Sequence, residues 1–270
     1  MSDQGLTVRI APSVGSFDRE EWNALGGNDN PFVSHEFLTA MEDSGSVGPG
    51  TGWEPAPIVI TDDAGTLLAA LPSYAKGHSQ GEYVFDYGWA DAYERAGGRY
   101  YPKMQVSVPF SPVTGPRLLA ETEAQRRELA SGLIALCTQE EASSVHITFL
   151  PERDWQALGG KLWLQRTDIQ FHWTNNGYAS FDDFLGSLSS QKRKNIRKER
   201  DSVARAGIAL QCLTGNDIRE SHWDAFFDFY MDTGGRKWGR PYLTREFFSL
   251  IGECMNRHVL LVIATRGGRA

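Results

Sequence analysis

The chain has 270 residues, of which 41% are hydrophobic and 23% charged, a globular balance that excludes wholesale disorder. Its longest uninterrupted apolar run, residues 259–264, falls far short of the about 20 needed for a bilayer-spanning helix, so no transmembrane segment is expected. The net charge of −7 argues against a dedicated nucleic-acid binder. Residues 191–205, however, hold seven basic and two acidic side chains, so this stretch is +5 and the remainder −12.

In chain order, 6–10 alternates as a strand and 17–25 reads as a helix. Asn30-Pro31 makes a turn, Ser34 is placed to cap a helix over 36–43, and glycine-rich 45–52 follows as a loop. Residues 57–61 and 66–74 read as a hairpin around Asp62-Asp63-Ala64-Gly65. The tract 75–118 is dense in Tyr, Gly, Trp and Pro. Within it 82–87 and 103–108 read as strands, and the stretch between them as a long loop or short helix. A loop this long and aromatic points to function rather than disorder.

Leu129, Leu133, Ile134 and Leu136 mark a helix over 123–141. A strand over 144–150, a short helix within 151–160 and one or two strands within 161–173 follow. Ser180 and Asp183 make a capping box for another short helix. A basic helix over 190–206 ends at Gly207. Then come a strand at 208–213, helices at 223–232 and 244–253 around a loop at 233–242, a strand at 259–265 and a turn at Arg266-Gly267-Gly268-Arg269. Strands alternating with helices predict a mixed α/β (α+β) sheet. The order strand, helix, helix, strand, glycine turn occurs over 6–66 and again over 208–268. This predicts two related domains, 1–175 and 176–270, the second truncated and its strand at 259–265 short of one neighbour.

Cys137, Cys212 and Cys254 are odd in number and widely spaced, which excludes a disulfide framework or zinc ribbon and predicts buried, reduced thiols. No secretory signal is visible in the first 30 residues, Met1 reads as a natural start, and the expected location is cytoplasmic. No metal is expected: there is no H-E-x-x-H, and His222 and Asp224 diverge at a helix start.

Four groups of residues could carry chemistry. If 82–86 is a strand, its period of two puts Glu82 and Asp86 on one face near His78, as a base or amine site; the alternative is a polar set anchoring the aromatic loop. Tyr100 and Tyr101 could donate to a developing oxyanion, and Arg117, following Lys103, Ser111 and Thr114, could clamp a carboxylate or phosphate, unless these residues only shape a cleft wall. On the basic helix, Arg193, Arg197 and Arg200 form one stripe, and Lys194, Lys198 and Arg205 another about 100° away. Lys192 adds to this charge, with Leu188, Ile196 and Val203 as apolar anchors. An anionic partner would offset the repulsion, although a plain solvated helix reads equally well. Arg236, Lys237, Trp238, Arg240 and Tyr242 suit stacking on a base or sugar, with core packing by Trp238 as the alternative.

Several blocks carry a family resemblance: Asn30-Pro31-Phe32-Val33-Ser34, His78-Ser79-Gln80-Gly81-Glu82-Tyr83-Val84-Phe85-Asp86, Tyr100-Tyr101-Pro102-Lys103, Val108-Pro109-Phe110-Ser111-Pro112-Val113-Thr114-Gly115-Pro116-Arg117, Gln170-Phe171-His172-Trp173, Arg193-Lys194-Asn195-Ile196-Arg197-Lys198-Glu199-Arg200 and Lys237-Trp238-Gly239-Arg240-Pro241-Tyr242-Leu243. Over nearly its whole length the chain resembles the Fem-type aminoacyltransferases of peptidoglycan synthesis, and specifically the FemAB-like peptidoglycan biosynthesis/recognition proteins, which extend beyond position 270. The resemblance implies a tandem GNAT-like acyltransferase fold. It implies transfer of an acyl or aminoacyl group, from acetyl-CoA or aminoacyl-tRNA, to a primary amine of a peptidoglycan precursor or small metabolite.

On that reading His78, Glu82, Asp86 and Tyr101 are catalytic, and Tyr100, Lys103, Ser111, Thr114, Arg117, Trp238 and Tyr242 bind substrate. Lys192, Arg193, Lys194, Arg197, Lys198 and Arg200 meet tRNA or a phosphate-bearing lipid precursor. The GNAT phosphate cradle R-x-x-G-x-G/A is absent. Its nearest counterpart, Thr114-Gly115-Pro116-Arg117, loses an N–H at Pro116, which counts against acetyl-CoA in the first domain. The alternative is a non-catalytic module that recognises an anionic glycan, lipid precursor or tRNA.

Overall fold

The computed structural model describes residues 6–160, 162–236 and 241–270. After strand β1 (Thr7–Ile10), Asp18 accepts the N–H groups of Glu20 and Glu21 and starts helix α1 (Arg19–Trp22), which widens into a looser turn at Asn23–Gly27. Asn30 accepts from the Phe32 N–H, and Ser34 caps α2 (His35–Asp43) through the Phe37 N–H.

The expected hairpin forms, but each arm is cut in two. Pro57 separates β2 (Trp53–Pro55) from β3 (Ile58–Thr61), and Pro72 separates β4 (Leu67–Leu71) from β5 (Ser73–Lys76). Proline cannot donate to a ladder, so the two halves of the hairpin enter different sheets. One sheet runs β1-β3-β4-β7, with β7 at Leu119–Ala120. The other runs β2-β5-β6-β8, with α3 (Tyr87–Arg95) in the connection between β5 and β6 (Lys103–Val106), and with β6 parallel to β8 (Val145–Ile147). Helix α4 (Glu123–Gln139), started by a Thr122/Gln125 capping box, packs Leu129 and Leu133 against Ile58, Ile60, Met104 and Val106.

The second sheet has two unlike faces. Register places Ala75 beside Met104 and Met104 beside Val145, on the α4 side. The alternate positions carry Lys76 beside Lys103, and Tyr74, Gln105 and His146 in a row.

Two expected strands are absent. Residues 82–86 form an irregular loop ahead of α3, because Gly81 (φ 80°) and Tyr83 (φ 57°) take left-handed backbone that a strand cannot hold. The described part of 161–173 also forms no strand. The Gln165 and Gln170 side chains bond the carbonyls of Trp155 and Pro112 (2.7 and 2.6 Å), where strand pairing was expected.

Helix α5 (Glu152–Leu158) is followed by α6 (Phe181–Ser187), capped by Ser180, and α7 (Ser190–Arg205), capped by Ser189. Next come β9 (Ile208–Thr214), α8 (Glu220–Arg236), α9 (Arg245–Cys254) and β10 (Leu260–Arg266). Strand β10 pairs antiparallel with β9 over seven positions, as β3 pairs with β1, and in both places two helices lie between the paired strands. Arg266 and Arg269 close the expected glycine turn.

The two halves share one core. Phe37 of α2 meets Phe247 of α9 edge-on at 5.9 Å, and Trp22, Leu38 and Met41 belong to the same cluster as Trp223, Phe248, Leu261 and Ile263. The Thr244 N–H and hydroxyl donate to the Ser46 hydroxyl and Ser44 carbonyl (3.2 and 3.1 Å). All three cysteines are free, but only Cys137 is buried; Cys212 and Cys254 are exposed, against expectation. Cys212 alternates with inward-facing Leu213 on β9 and so falls on the outer face. Among the described residues no helix is long and apolar enough to cross a membrane.

Phe247→Ala should cost about 3–5 kcal/mol in urea unfolding. Because the core is continuous, the whole transition should move as one; two separate transitions would show that the halves unfold independently.

Candidate functional site

The candidate site lies on the polar face of the second sheet. Residues 77–86 fold back over it, and Gly81 permits the approach, since a Cβ there would sit 2.7 Å from the Phe110 ring. This return brings Glu82 and Asp86 onto Lys103. The Lys103 ammonium donates to Glu82 Oε2 (2.8 Å), Asp86 Oδ2 (2.5 Å) and Ser79 Oγ (2.9 Å), so all three of its hydrogens are engaged. Lys76 lies over the Trp53 ring at 3.5 Å, 3.9 Å from Glu82 Oε1. Both lysines are 0% exposed, Glu82 2% and Asp86 3%, so two basic and two acidic groups face one another out of water.

Burial sets the proton affinities, with specific bonds acting against it. Burial brings Lys76 down to about 7, opposed by the Glu82 charge. It pushes Glu82 up against the pull of Lys103. At Asp86 burial also acts upward, but hydrogen bonds from Lys103, Ser79 and Tyr100 outweigh it and hold the carboxyl below its usual range. The Tyr100 phenol, which donates to Asp86 Oδ2 at 2.8 Å, is raised by burial and by that carboxylate.

A polar chain links this cluster to the surface. Ser79 Oγ, which accepts from Lys103, lies 2.8 Å from the hydroxyl of half-buried Tyr101. Tyr83, Phe85, Tyr87 and Trp89 are exposed nearby in the chain. Tyr242, from the second half, stacks on Phe110 (4.7 Å, interplanar angle 3°) and lies within electrostatic reach of Tyr83 and Tyr87.

The polar face also holds more acceptors than donors. Glu82 Oε1, Asp86 Oδ1, Gln105 Oε1 and Ser107 Oγ are buried without a hydrogen-bond partner. His146, half-buried, bonds Ser144 Oγ through Nε2 (2.9 Å). Burial first, and then the Lys103 charge, bring it down to about 4, so its imidazole is neutral at pH 7. Among the described residues no three His, Cys, Asp or Glu side chains are grouped as a metal site requires.

The FemAB-like profile, a peptidoglycan biosynthesis/recognition family, matches residues 13–270. The chain belongs to the FemAB-like family. The match spans both halves and every residue of the buried cluster. No curated protein matches the chain.

Within this FemAB-like chain, Glu82, Asp86, Tyr100, Tyr101 and Lys103 come together as a group, while Tyr242, from the second half, stacks on Phe110 beside the loop that covers them. Glu82 and Asp86 meet through a loop and not through strand alternation.

His78 does not take the base position. Its Nδ1 accepts the Gln80 N–H (3.2 Å) and its Nε2 bonds the Thr51 carbonyl (2.9 Å), so both ring nitrogens are held by backbone. Its ring fits against Gly52 (φ 73°), where a Cβ would be 2.3 Å away. Arg117 does not clamp a ligand. It is fully buried and donates to the carbonyls of Thr148 (3.1 Å), Pro116 (3.0 Å) and Val113 (2.5 Å), with burial lowering it to about 10. It fastens the 113–117 loop to the end of β8, while the Gly115 N–H is taken by the Phe149 carbonyl (3.2 Å). Ser111 is half-buried and Thr114 exposed, with its hydroxyl on Gln170 (3.5 Å); neither contacts the cluster. Lys237, Trp238 and Arg240 lie outside the described residues, and Arg236 pairs with Asp232 (2.6 Å).

On α7 each member of the arginine stripe has a partner on α6, although Arg197 and Arg200 remain exposed. Arg193 donates to the Leu185 and Gly186 carbonyls (3.4 and 3.2 Å), Arg197 pairs with Asp182 (3.2 Å), and Arg200 lies over the Phe181 ring (4.5 Å). Lys192, Lys194 and Lys198 stay exposed.

Lys76, Ser79, Gln105 and His146 were not singled out in the sequence. For Gln105 and His146 the signal was polar residues alternating with apolar ones in Lys103-Met104-Gln105-Val106 and Val145-His146-Ile147; Lys76 and Ser79 carried no such pattern.

Lys103→Met should destabilise the fold by about 3–5 kcal/mol in urea, because it leaves Glu82 and Asp86 buried and uncompensated. Adding Glu82→Gln and Asp86→Asn should recover much of that loss; a triple variant as unstable as the single would show that packing, not charge, is at stake. His146 supplies a pH signature. Its folded value of about 4 lies below the ordinary 6.5, so between these values the unfolded chain holds the extra proton and stability falls as pH drops from 6.5 to 4. His146→Gln should remove that part of the slope in a plot of Tm against pH.

Proposed function

We propose that the chain transfers an acyl or aminoacyl group to a primary amine held on the polar face of the second sheet. Membership of the FemAB-like family points to peptidoglycan-related aminoacyl transfer in general. The observation that carries the acceptor side is the surplus of buried acceptors, Glu82 Oε1, Asp86 Oδ1 and Gln105 Oε1. An unmet buried acceptor costs about 1–3 kcal/mol, and an ammonium group supplies the missing donors.

In the proposed reaction Glu82, raised by burial, takes a proton from the ammonium. The freed amine attacks the carbonyl carbon. Tyr101, backed by Ser79 and Lys103, donates to the forming oxyanion. The nitrogen of the tetrahedral adduct then gives up its second proton, which Tyr101 relays to the leaving sulfur or oxygen as that bond breaks and the carbonyl re-forms as an amide. Exposed Tyr83, Phe85, Tyr87 and Trp89 suit packing against the sugar or peptide of a peptidoglycan precursor, with a small amine metabolite as the simpler acceptor.

The order strand, two helices, hairpin, followed by the parallel pair β6 and β8, supports a GNAT-like unit. Its repeated opening over β9–β10 supports the tandem reading. With the Gly115 N–H engaged and Pro116 lacking one, aminoacyl-tRNA is favoured over acetyl-CoA as donor. A cytoplasmic location goes with either donor.

A second reading, recognition without catalysis, is favoured by two facts: all three Lys103 hydrogens are engaged, and both His78 nitrogens are bonded to backbone. Turnover of aminoacyl-tRNA and acetyl-CoA with stem-peptide and small amine acceptors decides between the two. Tyr101→Phe should lower kcat by about 10²-fold while leaving KM and the fold in place. Precursor binding without turnover of either donor would select the recognition reading.

A further inference from the structure

Helix α7 is an arm: none of its 16 residues is buried, although it carries most of the +5 segment. With Arg193, Arg197 and Arg200 engaged by α6, the charge without a partner on α6 is the second stripe. At 100° per residue, Lys194, Lys198 and Arg205 fall within about 40° of one another. Only the Arg205 Nε is engaged there, by the Asp201 carbonyl (3.2 Å). Lys192 lies toward the other side of the helix. The stripe borders a shallow groove of about 350 Å³ lined by Arg193, Lys194, Arg197, Lys198 and the acidic Asp201.

Across α6 from this stripe is an apolar patch. Trp173, Tyr178 and Phe181 gather around Phe184 with ring centroids 6.0, 5.6 and 5.7 Å apart. Their outer parts have no cover: Phe181 is 45% exposed and Trp173 68%, and just before them in the chain Phe171 is 97% and Ile169 77% exposed. The α6–α7 piece and the segment before it therefore carry both exposed cations and exposed apolar side chains.

We infer that the α6–α7 arm and residues 169–173 form a docking surface for an anionic lipid bilayer. Charge complementarity selects an anionic partner, and two features select a lipid surface over RNA. The arginines of the first stripe, whose rigid forks recognise phosphate, are each tied to α6, whereas the cations without a partner there are mainly lysine, a point charge on a flexible stem suited to a plane of headgroups. Ile169 offers no face for stacking a base, but aliphatic and aromatic side chains together enter the boundary between headgroups and acyl chains. Stable attachment takes two weak signals, a basic patch and an inserted apolar group, and both are present here.

Flotation of the full chain with phosphatidylglycerol-containing vesicles, against pure phosphatidylcholine vesicles, tests this directly. The chain should float with the anionic vesicles only. Lys194→Gln with Lys198→Gln should lower partitioning by about 25-fold, about fivefold per lysine. Phe171→Ser with Trp173→Ser should remove the binding that survives high salt. All four side chains are exposed, so circular dichroism should show the variants folded. Absence of binding to anionic vesicles, or binding indifferent to the lysine pair, overturns the inference. So does binding of tRNA without binding of vesicles, which would make the arm an RNA contact. None of these readouts depends on catalysis, so they stand or fall apart from the proposed acyl transfer.

Discussion

The Lys103 ammonium, buried between Glu82 and Asp86, is the constraint on which the rest of the site depends. An isolated charge at that depth would be prohibitively costly, so the sheet position requires two carboxylates to come to it. The irregular course of residues 77–86 follows from that need. Left-handed backbone at Gly81 and Tyr83 lets the chain turn back over the sheet and deliver both carboxylates from five residues of loop. Lys76 on the neighbouring strand lies against the other oxygen of Glu82, supported by the Trp53 ring and by the Gln80 carbonyl, to which it donates (3.3 Å).

That cluster divides the second sheet into two faces with different roles. Toward α4 the face is ordinary hydrocarbon packing, which fixes β5, β6 and β8 in register. The register in turn aligns Lys76 with Lys103, and Tyr74 with Gln105 and His146, on the opposite face. A polar surface held rigid by an apolar one behind it is a suitable base for chemistry, since its side chains cannot relax away from a ligand without disturbing the core. The second half contributes more than a shared core, because Tyr242 stacks on Phe110 at the edge of the same region.

Several candidate residues from the family blocks meet at Lys103, whereas two prominent ones are engaged by backbone. His78 and Arg117 carry the side chains most often associated with acid–base and anion-binding work, yet both serve the backbone. The Arg117 guanidinium has five donors, and the 113–117 loop leaves carbonyls without ladder partners; satisfying them outweighed any ligand role. The α7 arginines likewise found the C-terminal carbonyls and Asp182 of α6, a partner not apparent from a helical wheel of α7 alone.

Local chemistry decided much by itself. The caps at Ser34 and Ser180, the long helices, the glycine turn at 266–269 and the repeated order of elements all follow from short-range bonds and periodicity, and were legible in the sequence. Tertiary structure decided which polar residues meet. Glu82 and Asp86 reach Lys103 from 17 to 21 residues away, and Tyr242 reaches Phe110 from the other half of the chain. Such meetings depend on how loops close and which charges require burial compensation, and neither is encoded in any single window of sequence.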